Sequence, residues 1–323
     1  MLNYSVAELR IIVKYKHFKQ ALLFKVGSIM NQIKYSIIIP HKDIVQLLVR
    51  CLKSIPDTED FQVIVVDDNS KDANQIISAI NDLKRTNIEL YLTEEGKGAG
   101  FARNEGLKHV KGTWCLFADA DDFFADNFQQ QLMEFSNSEV DVIYFTSCSV
   151  DNDTLESVPS RDNTVKDCIN RNKLDRLRYG HYVPWSKMIR TELIKRHNIS
   201  FEETIVCNDA MFSITCGYYA HHILAVDKII YVSTVRTNSL FFAISEERLQ
   251  MRYDALVRRI NVQLVKWGKW KYRQNIFHIV ETFKQISESC YKQHLLRCLY
   301  DESIFWLVLD FILYQLKKIK KFL

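Results

Sequence analysis

From Tyr35 onward the chain alternates short apolar runs with stretches of helical spacing, and this alternation limits the fold more than any other feature. Ile37-Ile38-Ile39, stopped by Pro40, reads as a buried strand, and Val45 to Ile55 carries the period of a helix. Phe61 to Val66 reads as a second strand, Ala73 to Leu83 as a second helix, and Ile88 to Leu92 as a third strand. Gly100 to Val110 then reads as a helix and Trp114 to Ala118 as a fourth strand. Such alternation, joined by short polar turns, predicts an α/β fold with a mostly parallel sheet flanked by helices. Ligands of these sheets bind beyond the carboxyl ends of the strands. Two acidic groups fall at that edge: Asp67-Asp68 after Val66, and Asp119-Ala120-Asp121-Asp122 after Ala118.

Beyond Asp126 the pattern is mixed. Val140 to Phe145 is strand-like, and Asp151 to Lys173 is polar, a loop with helical pieces. Tyr182 to Ile199 reads as a strand and helix, Ile205 to Ala220 as a helix entered through Asn208-Asp209, and Val226 to Val232 as a strand. From Glu246 the reading is helical, with Leu249, Tyr253, Leu256, Ile260 and Leu264 on one buried face. The expected organisation is a basic extension over 1–33, a domain over 34–240 and a helical region over 241–323. The domain divides into halves at 34–125 and 126–240. Met30 is a second candidate start, which leaves the upstream part either an over-extended beginning or a peripheral helix.

The net charge of +4 on 323 residues is too small to imply a general nucleic-acid surface. None of the eight cysteines lies in a CxxC pair or at zinc-finger spacing, so all are expected to be reduced structural thiols of a cytoplasmic protein. No secretory signal is apparent, because lysines and arginines interrupt Leu9 to Ile29. No run reaches the roughly 18 apolar residues of a spanning helix.

The acidic groups suggest the chemistry. A nucleotide-sugar donor carries a diphosphate, and hard oxygen ligands holding Mg²⁺ or Mn²⁺ against it would neutralise charge on the departing phosphate. Asp119 and Asp121, two apart on an extended segment, point to one side and can share a ligand. The competing reading is a helix cap ahead of Phe123 to Phe135. A carboxylate at the tip of the Val63 to Val66 strand can accept from the imide of uracil or from a ribose hydroxyl; a turn capped by Asn69 or Ser70 is the alternative.

Five segments in order carry a resemblance: Ser36-Ile37-Ile38-Ile39-Pro40, Cys51-Leu52-Lys53-Ser54-Ile55, Ile64-Val65-Val66-Asp67-Asp68-Asn69-Ser70, Ala102-Arg103-Asn104-Glu105-Gly106 and Asp119-Ala120-Asp121-Asp122. Together they resemble the family 2 glycosyltransferases, which implies a GT-A fold and an inverting displacement at the anomeric carbon. By that resemblance Pro40, Asp67 and Asp68 would line the nucleoside pocket, with Asp68 facing the base. Arg103 would lie near the nucleotide, and Asp119 and Asp121 would hold ribose and metal. Pro184-Trp185-Ser186-Lys187 resembles an acceptor-side segment, contributing Trp185 and Lys187. Asn208-Asp209-Ala210-Met211-Phe212 resembles the acidic pair before a helix, and Arg236-Thr237-Asn238-Ser239 the segment after the last strand. Inverting transfer needs a base for the acceptor hydroxyl; Asp209 is the candidate, with a helix cap as its alternative. His41-Lys42-Asp43 departs from the family's usual tyrosine and asparagine. Asn208 replaces the usual glutamate, and its amide cannot serve as a base.

Two other signals are discounted. Gly96-Lys97-Gly98-Ala99-Gly100 lacks the third glycine of a dinucleotide loop, though its backbone would lie close to the nucleotide. Gln263-Leu264-Val265-Lys266-Trp267 approaches a processive-synthase pattern but reads as a core-facing helix. Ile304 to Leu316 is apolar, interrupted by Asp310 and followed by lysines; it suits either a membrane interface or packing on the domain or on a second subunit. The expectation is a metal-dependent transferase moving sugar from a nucleotide sugar, a UDP-sugar by preference, to a glycan or lipid-linked acceptor of a surface polysaccharide. The rivals are a silent GT-A scaffold, favoured by Asn208, and a sugar-nucleotide nucleotidyltransferase, which lacks its glycine-rich loop.

Overall fold

The computed structural model describes residues 33–236 and 245–322, with side chains to Lys317. The expectations placed on residues 1–32 and on Thr237, Asn238 and Ser239 lie outside the described residues. Four strands open the fold: β1 (Tyr35–His41), β2 (Phe61–Asp67), β3 (Ile88–Leu92) and β4 (Trp114–Phe117). Between them run α1 (Val45–Lys53), α2 (Ala73–Asp82) and α3 (Ala99–Leu107). Every residue of β1, β2 and β4 is buried, which is why these strands read as unbroken apolar runs rather than alternating ones. The pairs β1–β2, β1–β4 and β2–β3 are parallel.

After β4 the chain makes a short strand β5 (Phe123–Phe124) and α4 (Phe128–Met133), then the long β6 (Val142–Asp151) and the short β7 (Ser157–Val158). Helices α5 (Thr164–Asn170) and α6 (Asp175–Gly180) lead to β8 (Lys187–Arg190) and α7 (Thr191–Arg196). Helix α8 (Ala210–Tyr219) precedes β9 (Ile223–Val235). Among the described residues the strands form one nine-stranded sheet in the order β3-β2-β1-β4-β8-β6-β9-β5, with β7 on β6. The sheet is parallel from β3 to β4 and again between β6 and β9; β8 runs antiparallel to both β4 and β6, and β5 to β9. That inserted β8 brings the second half of the chain beside β4, the strand that leads to Asp119.

The C-terminal region is helical: α9 (Glu246–Tyr253), α10 (Val262–Lys266), α11 (Ile276–Thr282), α12 (Glu288–Asp301) and α13 (Ile304–Phe322). Between α9 and α10, Asp254–Asn261 form a π-helix. Its wider turn shifts the buried face, so Val257 is fully buried where helical spacing predicted Leu256, which is only half-buried. This region packs on α8: Ile260 and Leu264 join Tyr179, Ala210 and Ile214 in one cluster, and Trp267 stacks on Tyr218 at 4.1 Å. Arg259 pairs with Glu202 at 2.9 Å, just ahead of α8. The interruption at Asp310 has its cause here. Asp310 faces inward, where it accepts from the Ile276 amide at 3.2 Å beside Arg273 at 3.9 Å.

Candidate active site

The acidic residues after β4 are not a helix cap: Asn127 occupies that position for α4, and Phe123–Phe124 pair with β9. They hang at the sheet edge instead, fastened from several sides. Tyr231 accepts from the Asp119 amide at 2.9 Å and donates to Asp122 at 2.9 Å. The Thr234 amide donates to the other oxygen of Asp122 at 2.7 Å. Arg50 and the Thr234 hydroxyl donate to the Asp121 carbonyl at 2.6 and 2.9 Å. Asp122 is thus the buried anchor of the group, and burial first, then Asp119 and Asp121, push its carboxyl up to about 8. Asp119 and Asp121 remain 35% and 26% exposed at the edge.

Each of these two carboxylates spends one oxygen on an arginine. Arg103 donates to Asp119 at 2.6 Å, and Arg236 pairs with Asp121. Burial and the neighbouring Asp119 raise the Asp121 carboxyl, and Arg236 opposes them. Among the described residues no three His, Cys, Asp or Glu side chains group around a metal position. A metal bound at this edge would have the carboxylates of Asp119 and Asp121 to draw on. That donor set suits Mg²⁺ or Mn²⁺, which take remaining ligands from substrate phosphates and water, and a divalent cation would relieve the repulsion between the two.

At the end of β2 the two aspartates diverge. Asp67 is buried and takes His41 Nδ1 at 2.7 Å and the Ser70 amide at 2.9 Å. His41 Nε2 accepts from the Ile44 amide, so Nδ1 carries the proton and donates. The departure from the family pattern at His41 thus ties the end of β1 to the end of β2. Asp68 accepts from the amides of Lys97 and Gly98 at 3.0 and 2.9 Å and from Lys42 at 3.4 Å. Such charge-assisted bonds contribute about 1.5–3 kcal/mol each, and they pin the glycine loop ahead of α3. Gly98 has φ +93°, open to glycine at no cost. A Cβ on Gly100 would lie 2.1 Å from the Glu202 carbonyl, so this glycine lets α3 press against the chain leading into α8. Neither Asn69 nor Ser70 caps α2; Asp72 does, accepting from the Asn74 amide at 3.0 Å. Pro40 is buried within β1, opposite Val66.

Arg103 joins the two halves. Its side chain, 6% exposed, donates one amino group to Asp119 and the other to Asn208 Oδ1 at 2.9 Å. It rests over Phe201, which stacks on Phe212 at 3.9 Å while Phe117 meets both edge-on. The fork of a guanidinium matches this double duty. An amide at position 208 offers Arg103 a carbonyl and donates through its nitrogen to the Thr204 carbonyl at 3.1 Å.

Asp209 occupies the N-cap position of α8 without a side-chain capping bond. The helix begins at Ala210, so the expected stretch from Ile205 is a turn up to Asp209. Burial, the largest influence, pushes the Asp209 carboxyl above its usual range; Arg103 and Lys187 pull against it and Asp119 adds to it. Trp185 and Lys187 lie deeper than a surface contact. Trp185 stacks on Tyr231 at 5.0 Å, behind Asp119. Lys187 is 2% exposed, donates to the His181 carbonyl at 2.8 Å, and burial lowers its ammonium to about 8. Tyr231 and Arg50 were not expected at the site and approach only through folding; Asp122 stood in the acidic run and Arg236 in the segment after the last strand, neither with an assigned role.

Comparison with known proteins agrees with this geometry. The model of "Glycosyl transferase family 2" matches residues 36–197, half of the chain. The uncharacterized glycosyltransferase EpsJ of Bacillus subtilis is 24% identical over 240 residues, covering 70% of this chain and 69% of that one. TarS of Staphylococcus aureus, a poly(ribitol-phosphate) beta-N-acetylglucosaminyltransferase, is 28% identical over 212 residues, 63% of this chain and 36% of its own. The crystal structure of TarS residues 1–349 with UDP-GlcNAc aligns with a TM-score of 0.57 at 25% identity, over 72% of this chain and 66% of that one. The mannosyltransferase PcManGT of Pyrobaculum calidifontis, solved with GDP-Man and Mn²⁺, shares the fold at 15% identity and a TM-score of 0.54, covering 95% and 90%. The chain belongs to glycosyl transferase family 2 and is a glycosyltransferase of GT-A fold.

Proposed function

We propose that this enzyme transfers a sugar from a nucleotide sugar, with inversion and release of the nucleoside diphosphate, to a glycan or lipid-linked acceptor of a bacterial surface polysaccharide. The observation that carries the reading is the Arg103 bridge. It sets Asp119, on the donor edge, beside Asn208 and so beside Asp209, on the acceptor side. The likeness to TarS favours a UDP-sugar and a surface glycan.

In this reading the glycine loop and the end of β2 hold the nucleotide, with Pro40 and Asp68 at the base. Asp67 supports them from behind. Asp119 and Asp121 would hold Mg²⁺ or Mn²⁺ against the diphosphate, where the ion supplies charge neutralisation of the leaving group. Arg103 and Arg236 bring positive charge to the same edge. The acceptor hydroxyl oxygen forms its bond to the anomeric carbon as the carbon–phosphate-oxygen bond breaks on the opposite side. The hydroxyl proton passes to Asp209, whose raised affinity for a proton suits a base. Trp185 and Lys187 position the acceptor wall from beneath. The enzyme would work at the cytoplasmic face of the cell membrane. None of the described helices is long and apolar enough to cross a membrane. However, Phe305, Val308, Ile312 and Leu316 form an exposed stripe on α13, opposite the buried Leu307, Asp310 and Tyr314.

UDP-GlcNAc turnover in Mn²⁺, measured for the wild type, Asp121→Ala and Asp209→Asn, tests the assignment. Asp121→Ala should lose metal-dependent turnover. Asp209→Asn should lose transfer by about 10²–10⁴-fold and keep UDP affinity. Equal rates in all three would sink the proposal.

A further inference from the structure

An open cavity of about 860 Å³ lies between α6 and the C-terminal helices, away from the aspartates. Lys173, Arg176, Lys271, Arg273 and Lys317 line it, against the single carboxylate of Asp175. That carboxylate is turned to Arg178, at 3.4 Å. Among the described residues, Lys173, Arg176, Lys271 and Lys317 have no carboxylate at ion-pair distance, so the wall carries uncompensated positive charge. Arg273 differs. Its side chain is 4% exposed, held by Glu302 at 2.7 Å and stacked on Trp306, and its Nε–H is buried without a partner. Arg273 is therefore structural, and the charge open to a ligand in the cavity is that of the exposed Lys173, Arg176, Lys271 and Lys317.

We propose that this cavity is an anion subsite that takes the phosphate or diphosphate of the acceptor. Its wall is tied by hydrogen bonds to α8, the helix that begins after Asp209. Tyr182 lines the cavity, accepts from Gln274 at 2.7 Å, and through its carbonyl takes the hydroxyl of Ser213, one turn of α8 beyond Asp209. Three residues later Trp185 stacks on Tyr231, which holds Asp119. On the outer side, Lys317 stands at the end of the α13 apolar stripe. A phosphate here would anchor an acceptor whose sugar reaches Asp209. Phosphate binding does not depend on catalysis; naming that phosphate as the acceptor's rests on the transfer proposed above.

The test is calorimetric titration of the full chain with inorganic pyrophosphate in EDTA and saturating UDP. Binding should persist with UDP present and weaken at least tenfold in Arg176→Glu/Lys271→Glu, with UDP affinity and melting temperature unchanged. Lys173→Glu/Lys317→Glu, altering the same wall elsewhere, should act alike. Pyrophosphate displaced by UDP, or indifferent to both charge reversals, would overturn the subsite. Sedimentation with phosphatidylglycerol–phosphatidylcholine vesicles separates the sources: binding that pyrophosphate displaces identifies a lipid headgroup, and vesicle binding that it leaves untouched identifies a soluble phosphate chain. Pyrophosphate binding without any nucleotide-sugar turnover would sink the transfer and keep the subsite. Turnover without pyrophosphate binding would do the reverse.

Discussion

The donor edge and the acceptor edge of this site are built on opposite terms. At the donor edge nearly every carboxylate is committed. Asp67 is held by His41 and Ser70, Asp68 by two loop amides, Asp119 by Arg103, and Asp122 by Tyr231 and Thr234. At the acceptor edge Asp209 sits at a helix start without capping it, and burial raises its affinity for a proton. Fixed charges suit a task of orientation, in which a diphosphate must find its partners already placed. A buried carboxylate that caps no helix amide and has a raised affinity for a proton suits a task of accepting one. In the proposed mechanism this difference separates holding the donor from activating the acceptor.

The largest effect should fall on the uncommitted group: Asp209→Asn should remove two to four orders of magnitude from the transfer rate while UDP binds as before in calorimetry. A variant that loses UDP instead would place Asp209 with the donor and erase the contrast. Arg103→Ala, which removes the bridge between the edges, should reduce transfer on the order of 100-fold. Arg103→Lys should rescue little, because one ammonium cannot reach both Asp119 and Asn208. Full rescue by lysine would show that charge alone matters there. Asp68→Ala should act on the donor edge only. Removing the carboxylate that holds the Lys97 and Gly98 amides, which water can reach, costs about 0.5–1.5 kcal/mol, read as a slightly lower melting temperature and a roughly tenfold weaker UDP affinity. An unchanged affinity would detach the glycine loop from the nucleotide.

Lys187 sharpens the acceptor side through pH. Burial lowers its pKa from 10.5 to about 8, so between those values the unfolded chain binds the proton that the native state gives up. Stability from this group therefore rises with pH across that window, by at most about 3 kcal/mol. Melting curves of the wild type and Lys187→Met should converge as pH climbs from 8 to 10.5; parallel curves would mean that the lysine is not desolvated. The smallest effect on folding is expected at the α13 stripe. Phe305→Ser with Ile312→Ser should change stability within about ±0.5 kcal/mol yet lower sedimentation with phosphatidylglycerol vesicles. Unaltered sedimentation would leave that stripe without a role at a membrane.

The first half of the fold was legible because β1, β2 and β4 are buried on both faces, and burial writes itself as unbroken apolar runs. The second half was less so. Strand β8 has four residues and takes its antiparallel place from β4 and β6, contacts remote in sequence. The π-helix at Asp254–Asn261 moved a buried face by one residue, since helical spacing assumes an unbroken α-helical turn. Trp185 and Lys187 were read as acceptor contacts from a motif, whereas their depth is set by the packing of Tyr231 and Tyr144 around them.

What the sequence determined by itself is the succession of the first four strands along the chain and the two acidic tips at one sheet edge, because local periodicity and strand ends decide both. What only the tertiary structure decided is which of those acids are already spoken for. Arg103 meets Asn208 across 105 positions and Arg236 meets Asp121 across 115, and no local pattern encodes such distances. The commitment of a charge depends on the partner that folding delivers, which local periodicity does not encode.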